Sequence, residues 1–472
     1  MSGADDRHVT AVATADARPL RDPTDLLFYA ALVTLPVDGT VFGVQMPYYS
    51  PISPVFFALY ALCNARWLPV LFAPSRRARP VFPHVLPFVV GLLAVSVFGW
   101  LTVGFDVTYA PRTLMAVGFA CATLASCAVV WGCKRLRLRT AVTVVVCAYA
   151  AAFLFGVFTW AIEPGHVLGT GSMNDVRNRL LGLFLRQYLV SRPQFLFAEP
   201  SYIGMHLFGV LLPLYWMSRD RRLPVLIGVF AAGSLAMGAG VRILLDTAVA
   251  AVLWIVADVP WRTVWRDVRL RCAAIAVMLL GVGASAVAFL TQPRLRALAS
   301  RGLFSGDASM SARLFRSLAP VEAWLHDPLH MAFGFGAGNV GETMRRGFTD
   351  TLVRYRAHGG MMTEEIRELR DPLGPTGNLA GNAFTMNAYV SFVTEFGLVM
   401  FAAAIALLLR HVTRHRAWSR RTVCWLLLLA YLYLQFEAYA FPAFTLFLWA
   451  SASVPFGSRT NEAGTISKRV SA

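Results

Sequence analysis

The sequence predicts an all-α, polytopic integral membrane protein, and three observations carry that prediction. Of its 472 residues, 57% are hydrophobic and only 15% charged, against about 45–50% and about 25% in soluble domains. Apolar runs recur along almost the whole length; at about 20 residues each can span about 30 Å of hydrocarbon as a helix that satisfies its own backbone hydrogen bonds. The basic residues fall in short clusters between these runs, where the loops of a membrane protein carry them. Because the clusters are dispersed, the net charge of +17 does not describe one basic face, which excludes nucleic acid as a partner.

In chain order the runs predict helices near 26–44, 52–73, 85–104, 113–132, 141–160, 200–217, 223–240, 243–260, 272–291, 387–409, 422–436 and 441–456. The first and last pairs are short, which leaves bent or re-entrant forms open. Orientation follows from the basic clusters. One set of loops carries Arg76, Arg77 and Arg79, then Lys134, Arg135, Arg137 and Arg139, then Arg219, Arg221 and Arg222. It continues with Arg262, Arg266, Arg269 and Arg271, and with Arg410, Arg414, Arg416, Arg420 and Arg421. The positive-inside rule makes that set cytoplasmic. About twelve spans result, with residues 25–456 as the membrane domain and 1–24 and 457–472 as cytoplasmic tails. The N-terminus lacks the short apolar core and cleavage site of a signal peptide. The seven cysteines, Cys63, Cys121, Cys127 and Cys147 among them, form no C-x-x-C pair, which argues against metal or disulfide roles.

Two long loops, about 161–199 and about 292–386, then lie on the outer face. They hold roughly fifteen arginines, from Arg177, Arg179, Arg186 and Arg192 to Arg367 and Arg370, and no lysine. Guanidinium is a planar, permanently charged fork that matches phosphate oxygens, where an ammonium is only a point charge. The chain uses few lysines anywhere, so arginine bias by itself is also a compositional habit. Positive charge gathered on one face still calls for an anionic partner, lipid headgroup or substrate.

The first long loop ends in Arg192-Pro193-Gln194-Phe195-Leu196-Phe197-Ala198-Glu199-Pro200-Ser201. Pro200 suits the first turn of a helix, whose N–H groups lack intrahelical partners, and Glu199 then sits beside the positive end of that helix. A helix start with an interfacial arginine accounts for the same residues. Arg242 and Asp246, four apart in an apolar run, can pair on one helix face, and Arg242 falls close in depth to Glu199. Asp38, near the end of the first run, has no evident role.

In the second long loop, residues 312–326 read as an amphipathic helix with Leu314, Leu318, Val321 and Leu325 on one side, stopping at Asp327-Pro328. Phe333-Gly334-Phe335-Gly336-Ala337-Gly338-Asn339 follows; its glycines either let N–H groups face an anion or form an ordinary turn. A further helix is expected at 361–370. His358, in a loop, is a candidate base or a solvated side chain. His326 and His330 are four apart, but Pro328 between them makes zinc ligation unfavourable. Glu395, two turns into an apolar run, is expected to face the bundle.

At this point the chain resembles the O-antigen polymerase/ligase superfamily, in particular the Wzy-type polymerases of bacterial surface polysaccharides and exopolysaccharides. Four stretches carry the likeness in family order: Arg192…Glu199-Pro200-Ser201…Gly204; Gly240-Val241-Arg242; Ser311-Ala312-Arg313 followed by Phe333 to Asn339; and Asn387-Ala388-Tyr389…Glu395-Phe396-Gly397-Leu398. It departs from the family at Val241, where a serine is common, and at Met386, where ligase-type members carry histidine. The second departure favours polymerase over ligase.

The resemblance implies a GT-C-like architecture in the bacterial inner membrane and a metal- and cofactor-independent glycosyltransferase facing the periplasm. Its substrate would be an undecaprenyl-diphosphate-linked oligosaccharide, and the growing glycan would pass to a sugar hydroxyl of an incoming lipid-linked unit. Arg192, Arg242 and Arg313 would hold the diphosphate, Glu199 or His358 would serve the acceptor hydroxyl, and Asn387, Glu395 and Asn339 would support them. Glu199 fixing an arginine in a salt bridge is the alternative for that residue. Membrane lipid, a chain-length regulator and a flippase are the partners implied. The competing readings are an O-antigen ligase acting on lipid A-core or another acceptor, and a transporter of an anionic lipid-linked substrate.

Overall fold

The structure is a computed structural model, described for residues 22–40, 42–44, 49–72, 82–185, 193–259, 261–269, 271–272, 290, 293–370 and 384–453. Among these residues every regular element is helical, and an isolated parallel bridge joins Gly39 to Ser50. Among the described residues, four helices are long and apolar enough to cross a membrane: Val85–Thr102, Tyr109–Cys133, Leu138–Ala161 and Ala388–Arg414. The apolar helices Ser53–Cys63 and Arg222–Ala236 are shorter.

Local sequence explains where the shorter elements stop. The first apolar run is helical only over Asp25–Val33, and the chain then turns through Pro36 and Gly39. Proline and glycine oppose helix continuation for opposite reasons, one by a missing N–H and the other by excess freedom. The second run breaks after Cys63 at Asn64, restarting as the short helix Leu68–Phe72. The run at 200–217 is a continuous rod whose hydrogen-bond pattern changes along its length, through Pro200–Tyr202, Ile203–His206, a π-helical stretch Leu207–Leu211, and Leu212–Ser218. Most of the run expected at 272–291 lies outside the described residues, as does Arg192.

The main core gathers Phe28, Tyr60, Trp131, Tyr149, Phe195, Phe230, Trp425 and Phe441, all buried, from helices spread over the chain. The long connection after residue 292 has a small core of its own. Helices Ala308–His326, Val340–Ala357 and Glu364–Arg370 enclose Phe315, Met344, Tyr355 and Ile366. The first two cross closely because Gly347 presents no side chain to the Ala319 carbonyl. Sequence reading placed the first of these helices at 312–326 and the third at 361–370. It did not anticipate Val340–Ala357, whose apolar residues are interleaved with arginines.

Helix Ala388–Arg414 carries a break that shapes the fold nearby. Gly397 has φ 79° and ψ 166°, so the carbonyls just before it lose their helical donors. The glycine-rich run supplies replacements: Phe335 N–H donates to the Thr394 carbonyl at 2.8 Å and Gly336 N–H to the Glu395 carbonyl at 3.1 Å. A side chain on Gly397 or Gly334 would collide with the opposing backbone. Two motifs far apart in sequence are thus halves of one backbone junction.

Candidate functional site

Residues 194–199 are held by buried groups on every side before they deliver Glu199. Phe195 has φ 55°, the left-handed region that costs a bulky residue about 1–3 kcal/mol. Its ring is repaid by burial, seated over Gly156 where any side chain would overlap it, with Phe230 at 4.7 Å. Phe197 stacks on His206 at 4.3 Å. Gln194 Nε2 donates to the Phe197 and Ala198 carbonyls at 3.0 and 2.7 Å. Asp38 accepts the Ala198 N–H through Oδ1 and the His206 Nε2–H, at 2.7 Å, through Oδ2; the Tyr149 hydroxyl lies 2.7 Å from His206 Nδ1. Asp38, His206 and Tyr149 are each no more than 0% exposed, so this chain of bonds is dry.

Glu199 occupies the position before the helix that Pro200 begins, yet its carboxylate caps no backbone N–H. Oε1 instead accepts from Arg313 Nη2 at 3.2 Å, across 114 residues of sequence. Among the described residues, buried Oε2 has no hydrogen-bond partner, and neither has Ser201 Oγ. Both residues line a cavity of about 110 Å³ together with Arg242, Arg313, Asp307 and Gln435. Leu245 and Leu298 give it an apolar side.

Arg242 is the least satisfied group in that wall. Its guanidinium is buried, none of its three nitrogens makes a hydrogen bond among the described residues, and Asp246 Oδ2 lies 3.6 Å from Nε as a counter-charge. Asp246 is itself buried, held by the Tyr431 hydroxyl at 2.8 Å, while its Oδ2 has no hydrogen bond among the described residues. Burying a guanidinium short of acceptors is costly, and the cost falls when an oxygen-rich anion fills the space. Chemically, the cavity offers two guanidinium groups, a free carboxylate oxygen and a hydroxyl to one small ligand.

Of the residues the sequence nominated, Glu199, Arg242 and Arg313 therefore meet around one cavity. Glu395, Asn339 and Asn387 belong to a neighbouring cluster in which each has protein partners. Buried Glu395 accepts from Thr113 Oγ1 at 2.7 Å, Gly338 N–H at 2.8 Å and Tyr439 Oη at 2.8 Å. Asn339 Nδ2 donates to the carbonyls of Gly104 and Phe335. Asn387 caps helix Ala388–Arg414 by accepting from Tyr389 and Val390 N–H. Residues 434–441 join the two clusters: Gln435 lines the cavity, Tyr439 holds Glu395, and Glu437 Oε2 accepts from the N–H groups of Thr385 and Met386. Burial raises the Glu437 carboxyl above its ordinary range, opposed by donors from Ser391, Thr385 and Met386.

His358 stands elsewhere. It is exposed at the end of helix Val340–Ala357, with Nδ1 2.8 Å from the Arg354 carbonyl and its ring stacked on Phe304. His330 is tied to Asp327 at 2.6 Å and to Thr102 at 2.8 Å, and His326 to the Glu322 carbonyl. No group of three or more metal-ligating side chains occurs among the described residues. Sequence reasoning missed Ser201, Asp307, Gln435, Tyr431 and His206. The one signal available was Asp38: an acid in an apolar run requires a partner, and His206 sits alone in another such run.

Comparison with known proteins supplies no relative: no protein-family model, no curated protein and no solved structure matches the chain.

Proposed function

We propose that the chain is a Wzy-type polymerase, a glycosyltransferase that joins undecaprenyl-diphosphate-linked oligosaccharide units at the periplasmic face of the bacterial inner membrane. In this reading about twelve segments cross the membrane, both termini are cytoplasmic, and the two long loops are periplasmic. The observation that carries it is the buried Arg242 guanidinium, which makes no hydrogen bond among the described residues, sharing one cavity with Arg313 and Glu199.

The chemistry asks for two things in one place. The departing diphosphate needs positive charge as the anomeric C–O bond breaks, and the attacking sugar hydroxyl needs a proton acceptor. Arg242 and Arg313 supply the charge, joined in this proposal by Arg192. Glu199 keeps one oxygen on Arg313 and offers the other, unpaired, to the hydroxyl. The proton passes to Glu199, the new glycosidic bond forms, and undecaprenyl diphosphate leaves. Asn339, Asn387 and Glu395 act by fixing backbone around the site rather than by touching substrate.

The test is the glycan of cells whose copy carries Arg242→Ala or Glu199→Ala, with membrane levels of the protein verified. The expected result is loss of long polymer, with single repeat units still attached to their carrier or lipid core. Full-length polymer that accumulates without reaching its final acceptor replaces this reading with the ligase. Unchanged glycan at normal protein levels removes both and leaves transport.

A further inference from the structure

Helix Gly171–Phe184, in the first long loop, has two apolar arcs with different fates. On the inward side Leu181 is 4% exposed, and Arg177, also buried, faces Glu163 at 3.5 Å. On the adjacent arc Met173, Val176, Leu183 and Phe184 are all exposed, and Leu183 reaches 58%. At 100° per residue these four and Leu180 fall within one stripe, while Asp175 lies toward the opposite, polar side and Arg179 on the flank of the stripe beside Leu183.

What covers the stripe follows from its neighbour. The Phe184 ring meets Phe155 edge-on at 5.4 Å between centroids. Phe155 belongs to Leu138–Ala161, one of the four helices fit to cross a membrane. It lies six residues before that helix ends, so the contact is about 9 Å along the axis inside its end. Leu154 and Phe158, flanking Phe155, are 65% and 48% exposed and make the outward, apolar side of that span. The exposed stripe is therefore continuous with a surface whose length and composition suit hydrocarbon. An interfacial helix enters the headgroup–acyl boundary by about 5–10 Å, the same range as the about 9 Å between the Phe155 contact and the end of its helix.

We infer that Gly171–Phe184 is an interfacial helix lying on the bilayer, with Met173, Val176, Leu180, Leu183 and Phe184 in the acyl region and Asp175 toward water. The occupant of the stripe is lipid chain rather than headgroup, because the helix carries only two arginines, one of them turned inward to Glu163. The arrangement does not depend on the glycosyltransferase reading.

The test uses the full wild-type chain in phosphatidylcholine nanodiscs, footprinted by two reagents. A carbene precursor on the lipid acyl chain is expected to label Met173, Val176 and Leu183 along with Leu154 and Phe158, and to spare Asp175. Hydroxyl radical, made in the water, is expected to leave Met173 unoxidised, although an exposed methionine reacts readily. Replacing a third of the lipid (~30%) by phosphatidylglycerol should change neither pattern, since Coulomb attraction is a minor part of the insertion. In the Val176→Asn/Leu183→Asn protein, adducts on the helix should drop while those at Leu154 and Phe158 persist. Oxidation of Met173 with no carbene adduct means the stripe faces water and overturns the inference. Labelling by neither reagent means that protein, a second copy or a partner, covers the stripe, and overturns it equally.

Discussion

Gly204 and Asp246 are packed so that a methyl group on residue 204 would overlap the Asp246 carboxylate. The glycine is one turn into the helix that Pro200 begins, and the acid is one turn after Arg242. The absent side chain is what allows a buried carboxylate to lie between two helices and counter the Arg242 charge.

Gly204→Ala should therefore act on Arg242 through Asp246. Overpacking of this kind costs about 1–3 kcal/mol, and here it also pushes the carboxylate from its place. Thermal unfolding in detergent should show the destabilisation, and cells should lose long polymer. A protein with parental stability and full polymer length contradicts the packing argument.

Tyr431→Phe separates positioning from simple stability. It removes one hydrogen bond from the buried Asp246 carboxylate, worth about 1.5–3 kcal/mol because the acceptor is charged, and keeps the ring. Expression should remain near parental while polymer shortens, because Asp246 loses its fixed orientation against Arg242. Arg242→Lys should be as inactive as Arg242→Ala, since an ammonium cannot present the same planar fork.

The Glu199–Arg313 contact is a matter for a double-mutant cycle. Both side chains are partly exposed, at 27% and 16%, so the pair itself contributes modestly, about 1 kcal/mol or less. Stability effects of Glu199→Gln and Arg313→Gln should then be small and nearly additive, while each alone removes polymerisation. Large coupling in stability, with activity retained, would assign the pair a structural role only.

Gly156→Ala and Asp38→Ala probe the loop that delivers Glu199. The first collides with the Phe195 ring, and the second strips an acceptor from Ala198 N–H and His206. A buried donor left unpaired costs about 1–3 kcal/mol. Both variants should make the chain near residues 193–199 more sensitive to protease in detergent; parental resistance in both would show that the loop is held by other contacts.

A pH effect is expected at the other end of the bundle. Lys134 lies 2.8 Å from Asp22, and its ammonium holds the Asp22 carboxyl at about 2, below the ordinary 3.8. A lowered folded pKa contributes stability that is full above the unfolded value and is lost as pH falls through the folded one. Unfolding temperature should thus fall between about pH 4 and pH 2, and Asp22→Asn should flatten that part of the profile. An identical slope in the variant would remove Asp22 from the account.

The sequence by itself determined the helical class, the apolar segments long enough to span, the start of a helix at Pro200, and the i, i+4 meeting of Arg242 with Asp246. All of these are local properties: run length, a proline's missing donor, and the 3.6-residue turn act within a few residues of chain. Run length overestimated continuity where Pro36 and Gly39 or Asn64 intervene, because hydropathy averages over the residues that break a helix. Tertiary structure alone decided that Arg313 reaches Glu199, that Phe335 and Gly336 complete the helix broken at Gly397, and that His358 stands on an exposed helix end away from the cavity. It also gave Asp38 its role, by placing His206 and the Ala198 N–H against it. A charge buried among apolar helices must find its partner, but which residue answers is set by how distant segments pack, and no spacing along the chain encodes that distance.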